Sequence, residues 1–252
     1  PATLEASANG APDKPLRGNA RLAGRGLDGS ATGPAEPFAG HPAAALSVTL
    51  RQADLAPLFG VPAAVTLASR VALTDSGVVL DDIDALIGGA RLRGKLSWRG
   101  SGARTLEGDI GLDALNIPAV FAYAFGEHAS DAPLANLGRL QGWRGRVAFA
   151  ALRATLPGGG ELRPFKGVVR ADGQSLTLDA LSGGIGGGSV AADFDTRQTG
   201  EGSLVNARLS LTDVDGAALR YRALAMPAGR VSLQATLASR GRSARAMLGA
   251  LS

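Results

Sequence analysis

The chain has 252 residues, 45% apolar and 19% charged, which is enough material for one large β domain or two ordinary domains. It holds no Cys, which excludes a disulfide scaffold, a thiol nucleophile, a Cys-ligated zinc site and an iron–sulfur cluster, and leaves the redox compartment open. The net charge is +4, and 23 of the 26 cations are Arg, with densest stretches at Arg91-Leu92-Arg93, Arg144-Gly145-Arg146 and Arg240-Gly241-Arg242. These are spread along the chain, so the clustered basic face of a nucleic-acid binder is not expected.

Taken in order, the first twenty residues lack the apolar core of a signal peptide. Alternation of period two then predicts strands at Ala45–Arg51, Val65–Leu73, Ala90–Trp98 and Leu106–Leu112. Further strands are expected at Gly145–Leu152, Gly167–Ala171, Ser175–Asp179, Ser189–Phe194, Leu204–Leu211 and Arg230–Leu237. Their links, such as Asp75-Ser76-Gly77 and Ala171-Asp172-Gly173, are of hairpin length, which argues for antiparallel neighbours. Short helices are expected at strand ends: Ala53–Phe59, Ile117–Phe125 entered through Pro118, Asp215–Ala225, and Ser243–Leu251 capped by Ser243. The longest uncharged apolar run, Ala114–Gly126, is short of the ~20 residues of a spanning helix. Opening on Pro1 and closing on an apolar segment, the chain reads as a piece of a longer polypeptide, with any signal or anchor outside it.

An internal repeat organises the middle and end of the chain. At a constant offset of 98, Val71 meets Val169, Leu80 meets Leu178, Asp81 meets Asp179, Ile87-Gly88-Gly89 meets Ile185-Gly186-Gly187, and Leu96 meets Phe194. Each copy reads as strand, turn, strand, Gly-rich link, strand. A partial β module over residues 1–62 and two repeats over 63–140 and 141–252 are therefore expected. The fold class is mainly β: repeated antiparallel strands in a curved, groove-like sheet with short helices at strand ends.

The candidate chemistry is sparse. Asp81, Asp82 and Asp84 form the densest acidic cluster, and in a regular strand Asp82 and Asp84 share a face. Only Asp81 recurs in the second copy, so a strand-end turn is favoured over a cation site, which for calcium takes six or more oxygens. The pairs Asp193/Asp195 and Asp213/Asp215 read the same way. His41 and His128 stand alone in loop contexts, without a nucleophile elbow or zinc-ligand spacing. The run Gly183–Gly188 departs from the dinucleotide fingerprint, because Ser189 follows it and a strand continues. No enzyme activity, no cofactor and no metal is expected.

Two stretches resemble the AsmA family of bacterial envelope proteins, in its C-terminal region. One is Leu178-Asp179-Ala180-Leu181-Ser182-Gly183-Gly184-Ile185-Gly186-Gly187-Gly188. The other runs from Leu211-Thr212-Asp213-Val214-Asp215 through Gly229–Leu237 to the apolar segment after Ser243. The resemblance covers roughly Val65 to Ser252. It implies a periplasmic body attached to the inner membrane through an N-terminal anchor outside this chain. It also implies a non-enzymatic role in outer-membrane biogenesis, with phospholipid or another acyl-chain lipid carried along an apolar β groove.

Alternation nominates the groove residues directly: Val71 and Leu73, Leu92 and Leu96, Ile110 and Leu112, and Leu209 and Leu211 each share a strand face. The Arg-rich opposite face is expected to meet headgroups, at about 1 kcal/mol per cation near an anionic surface. A structural or adhesive β-sandwich or solenoid with a fully buried core stands as the alternative, separated from a groove by whether one sheet face is open.

Overall fold

The computed structural model describes residues 2–11, 14–54, 64–100, 104–120, 142–199, 202–221, 224–225 and 228–241. Of the helix expected at 53–59, Ala53 and Asp54 instead end a strand, where they pair with Val65 and Ala64, and its remainder lies outside the described residues, as do the helix expected at 243–251, most of the one at 117–125, His128 and the expected module boundaries at 62/63 and 140/141. The chain is mainly β. Its strands are β1 (Ala2–Asn9), β2 (Leu16–Gly24), β3 (Leu27–Glu36), β4 (Ala43–Asp54), β5 (Ala64–Thr74), β6 (Gly77–Ile87), β7 (Ala90–Arg99) and β8 (Arg104–Asn116). They continue as β9 (Trp143–Thr155), β10 (Glu161–Leu162), β11 (Phe165–Asp172), β12 (Ser175–Ile185), β13 (Gly188–Thr199), β14 (Gly202–Asp215), β15 (Arg220–Tyr221), β16 (Leu224–Ala225) and β17 (Arg230–Gly241).

Fifteen strands form one largely antiparallel sheet in the order β1-β2-β3-β4-β5-β6-β7-β8-β9-β11-β12-β13-β14-β17, with β10 paired to β9. The order begins at β1 and ends at β17, so the sheet is not closed. Most neighbouring strands, such as β5 to β7 and β11 to β14, follow one another through short links, as hairpin connections require. The chain divides into two compact units, Pro1–Gly111 and Leu112–Ser252.

In the first unit the register sorts residues cleanly by face, because directly opposed residues of antiparallel strands point the same way. Leu4, Leu22, Gly29, Leu50, Leu67, Ala85 and Leu92 stand in one row across β1 to β7. A second row holds Leu46, Val71, Leu80 and Leu96, and a third Leu16, Ala35, Ala44, Leu73, Val78 and Trp98. The opposite face carries rows such as Glu5, Arg21, Ser30, Thr49, Ala68, Asp84 and Arg93. One face is apolar and the other polar.

The second unit repeats this arrangement. Val147, Val169, Leu178, Phe194, Ala207 and Leu237 form one apolar row, and Ala151, Phe165, Gly183, Val190, Leu211 and Leu233 another. Here part of the apolar face is covered. Ala154, Leu162, Phe165, Ile185 and Val214 form a buried cluster, against which Leu115, Ile117, Leu156, Ala218 and Leu219 pack. The Phe149 and Phe165 rings meet at 5.5 Å between centroids, tilted by 51°, within the range of favourable aromatic pairs.

The 98-residue repeat is visible in the backbone. β6 and β12 share their bounds at that offset, and Val71↔Leu80↔Leu96 matches Val169↔Leu178↔Phe194. The Gly88-Gly89 and Gly186-Gly187 links are both tight hairpin turns with positive φ at each glycine (58° and 86°, 55° and 74°), the geometry that type I′ turns demand. Both copies also carry a β-bulge at the same place. The register slips between Leu80 and Ile83 and between Leu178 and Leu181, and the extra residues Asp82 and Ala180 each sit at φ 50°. A third such residue, Asp213 (φ 54°), accompanies the slip between Leu211 and Val214 on β14.

One helix prediction is corrected. The Asp215–Ala225 segment holds a single 3-10 turn, Gly216–Ala218, followed by the two-residue strands β15 and β16. Asp215 caps that turn by accepting from the Ala217 N–H and also accepts from the Gly229 N–H. Its carboxylate therefore ties the turn to the start of β17, and the chain doubles back before a helix can propagate. Residues 117–120 are helical, with the Asn116 side chain accepting the Ala119 N–H.

Candidate functional site

All eight residues nominated for a groove, Val71, Leu73, Leu92, Leu96, Ile110, Leu112, Leu209 and Leu211, are half-buried. Val71 lies between Leu46 and Leu80, Leu73 between Ala44 and Val78, and Leu92 and Leu96 oppose Ala85 and Leu80. Ile110 runs beside Gly94, where a Cβ would strike the Asp109 carbonyl and crowd the Ile110 backbone. Leu209 sits between Ala192 and Ala235. Leu211 differs from the other seven: it packs against the buried cluster of the second unit and serves there as core.

In the first unit no described element of that unit lies over the apolar face. Extensive contacts among its described strands are those between sheet neighbours. Its large apolar side chains are mostly half-buried, but Val65 and Ile83, with Ala53 and Ala85, are buried on this face where β4, β5 and β6 meet. Leu4 on the edge strand, with one neighbour, is 67% exposed.

The face is not wholly apolar. Ser69, Thr196 and Ser239 lie on it and are buried, a feature that alternation alone did not flag. The Ser69 hydroxyl donates to the Asp81 carbonyl at 2.9 Å. It thereby satisfies a carbonyl at the bulge, as a buried polar group must.

The opposite face is a lattice of ion pairs. Arg51 pairs with Asp28 at 3.3 Å, Arg170 with Asp179 at 2.7 Å, Arg230 with Asp213 at 3.6 Å, and Arg70 with Asp82. Arg91 donates to Asp84 through Nε at 2.8 Å, with Arg93 at 3.7 Å, and the Arg91 hydrogen bond holds the Asp84 carboxyl below its ordinary range. The acidic cluster Asp81-Asp82-Asp84 is thus split by the bulge: Asp82 turns to Arg70 and Asp84 to Arg91. Among the described residues no three His, Asp or Glu side chains gather as metal ligands.

The remaining features lie apart from these rows. His41 is exposed and contacts Asp75 at 3.1 Å across two loops. A cleft of about 320 Å³ at a loop end is lined by Lys14, Pro15, Leu16, Glu36, Pro37, Phe38 and Ala39. It shares only Leu16 with the apolar rows and none of the nominated residues. Asp172 Oδ1 accepts the Gln174 and Ser175 N–H groups at 2.9 and 2.7 Å in the β11–β12 turn. Those two donors, Gln174 first, hold its carboxyl at about 2. This is turn chemistry. No described helix is long and apolar enough to cross a membrane. Compared with known proteins, the chain matches no family model, no curated protein and no solved structure.

Proposed function

We propose that this chain is a non-enzymatic segment of an AsmA-like protein of the cell envelope, which binds or conducts phospholipid or another acyl-chain lipid along the apolar face of its sheet. The observation that carries the reading is the first unit's single layer. Rows of Leu, Val and Ala line one face, ion pairs line the other, and no described element of the unit covers the apolar side. Acyl chains suit such a face because its gain is non-directional and scales with apolar area, at about 25 cal/mol per Å². The proposal places the segment in the periplasm, held to the inner membrane by a part of the protein outside this chain. It assigns no role in nucleic-acid binding, since Arg51, Arg70, Arg91 and Arg170 of the polar face pair with aspartates and the densest Arg stretches are spread along the chain.

The alternative, a structural module with a filled core, draws support from one observation, the buried cluster of the second unit. Two measurements separate the readings. Native mass spectrometry of the purified chain should show co-purified phospholipid. Asp placed at Leu92 and at Leu209 should abolish that retention while the thermal unfolding midpoint moves little. Collapse of folding in both variants, with no lipid on the parent chain, would reassign these side chains to ordinary core.

A further inference from the structure

We infer that Asn9-Gly10 is a site of spontaneous backbone modification, where the chain converts its own asparagine to aspartate and isoaspartate through a cyclic imide. It is the one Asn-Gly step in the sequence. Glycine brings no Cβ, so the attacking nitrogen is unhindered. The fold leaves the step open as well. Asn9 is the exposed last residue of β1, an edge strand with a single neighbour, and strand ends of this kind open at the least cost. Gly10 lies just beyond it at φ 153°. Among the described residues, the Asn9 side-chain amide has no hydrogen-bond partner and the Gly10 N–H donates to no backbone carbonyl.

The comparable positions are held. Three aspartates also precede a glycine: Asp28 pairs with Arg51, Asp172 accepts two N–H groups of its turn, and Asp215 accepts from Ala217 and Gly229. Asn116 accepts the Ala119 N–H, Asn206 donates to Asp195, and Asn19 lies inside β2 between Ser7 and Thr32. Each of these three is followed by a residue that carries a side chain.

The reaction needs only the chain and water. The Gly10 nitrogen gives its proton to solvent base and bonds to the Asn9 Cγ. The Cγ–Nδ2 bond breaks, and the side-chain nitrogen takes a proton from solvent and leaves as ammonia. Water then opens the imide. Attack at Cγ returns the ordinary main chain with an aspartate side chain, whereas attack at the main-chain carbonyl carbon routes the backbone through Cγ as isoaspartate. Nothing is oxidised or reduced. The register gives the two products opposite effects. Asn9 stands directly across from Arg17, as Glu5 does from Arg21. Aspartate sets a carboxylate opposite a cation, a favourable cross-strand pair. Isoaspartate adds a methylene to the main chain and ends the pairing of β1 with β2 one residue sooner.

The test is incubation of the full folded chain in water labelled with heavy oxygen, at neutral and mildly alkaline pH. Peptide mapping by mass spectrometry, with fragmentation that separates aspartate from isoaspartate, follows every asparagine in the same sample. The expected result is loss of the Asn9 amide with uptake of one labelled oxygen, isoaspartate among the products, and a rate that rises with pH. Conversion at Asn9 should run about tenfold or more faster than at Asn19, Asn116 or Asn206, and within about threefold of its own rate in the urea-unfolded chain, because an open strand end gives little protection. Asn9→Gln should remove the conversion, since the longer side chain must close a larger ring. Protection of Asn9 by more than tenfold in the folded chain, or conversion no faster than at Asn19, would overturn the inference. Conversion without isoaspartate would overturn it too, because it marks direct hydrolysis of the side-chain amide.

Discussion

The strands β5 to β7 and β11 to β13 are one module used twice, with the same register, the same Gly-Gly turn and the same bulge, yet their apolar faces meet different fates. Over the second, Leu156, Leu162, Ala218 of the 3-10 turn and Leu219 just after it gather around Phe165, Ile185 and Val214 and leave Val214 with no exposed surface. In the first, Val65, Ile83 and Ala85 are buried, Val71, Leu80 and Leu96 remain half-exposed, and no described element of that unit makes extensive contact above them. The contrast teaches that the repeated sheet does not need a second layer to hold its register. Hairpin hydrogen bonding, cross-strand neighbours and ion pairs specify the layer, and covering it is a local addition.

The sharpest way to break this comparison is truncation on the two faces. Phe165→Ala should cost about 3–5 kcal/mol, the range for an aromatic removed from a packed core. Leu80→Ala should cost only about 1–2 kcal/mol, because much of its surface is already in water. Equal losses in urea denaturation would mean that the first face is packed as tightly as the second.

A second probe uses a position where the copies differ. Gly94 and Ala192 are equivalent at the 98-residue offset, both opposite the residue that follows the bulge, Ile83 and Leu181. At Gly94, φ is 144° and a Cβ would collide with the Asp109 carbonyl. Gly94→Ala should therefore destabilise by roughly 2–3 kcal/mol, the upper range for a strained backbone, whereas Ala192→Gly should lose about 1 kcal/mol or less. Matched thermal melts of the two variants check this.

The bulges themselves give a smaller effect of opposite sign. Ala180 holds a left-handed φ of 50° without a hydrogen bond from its methyl side chain to compensate. Ala180→Gly should stabilise the chain by about 1 kcal/mol, the steric cost of that conformation for an L-residue. No gain would mean that the unfolded-state entropy of glycine cancels the relief.

The smallest effect concerns pH. The Asp172 carboxyl is held at about 2 against an ordinary value of 3.8. Its contribution is complete above about 3.8 and is lost as pH falls toward 2, because the folded state resists the proton that the unfolded state accepts. The group is exposed, so solvent screening keeps the contribution under about 1 kcal/mol. Asp172→Ala should flatten the stability curve in that window alone, read by denaturation at stepped pH.

These comparisons also show where the sequence is readable. Alternation over Val65–Leu73 and Ala90–Trp98 finds the apolar rows, and the offset that aligns Val71–Leu96 with Val169–Phe194 finds the repeat, because two-residue periodicity maps directly onto sheet faces. The bulges escape the same reading. A bulge replaces a two-residue step by a three-residue one, so Leu80 and Ile83, or Leu178 and Leu181, share a face while the intervening residues look like a lapse in the pattern. Asp82 and Asp84 do share the polar face, but different cross-strand arginines, Arg70 and Arg91, take them. The cluster over the second unit was hidden for another reason. Leu156, Leu162, Ala218 and Leu219 lie in short turns and a two-residue strand, with no period to announce them.

The hairpin order of the strands has a consequence for how such a chain can lengthen. Within each unit a long strand pairs with the long strand before and after it in sequence, stepping over nothing longer than the two-residue strands β10, or β15 and β16. Contacts are therefore near in sequence, loop closure is inexpensive, and stability accumulates from neighbour to neighbour along a line. Insertion of a single strand would reverse every strand beyond it and carry each following turn to the opposite end of the sheet. Insertion of two restores both direction and turn placement, and leaves the apolar rows in phase. The permitted unit of growth is the hairpin, so relatives of this chain are expected to differ in length by pairs of strands.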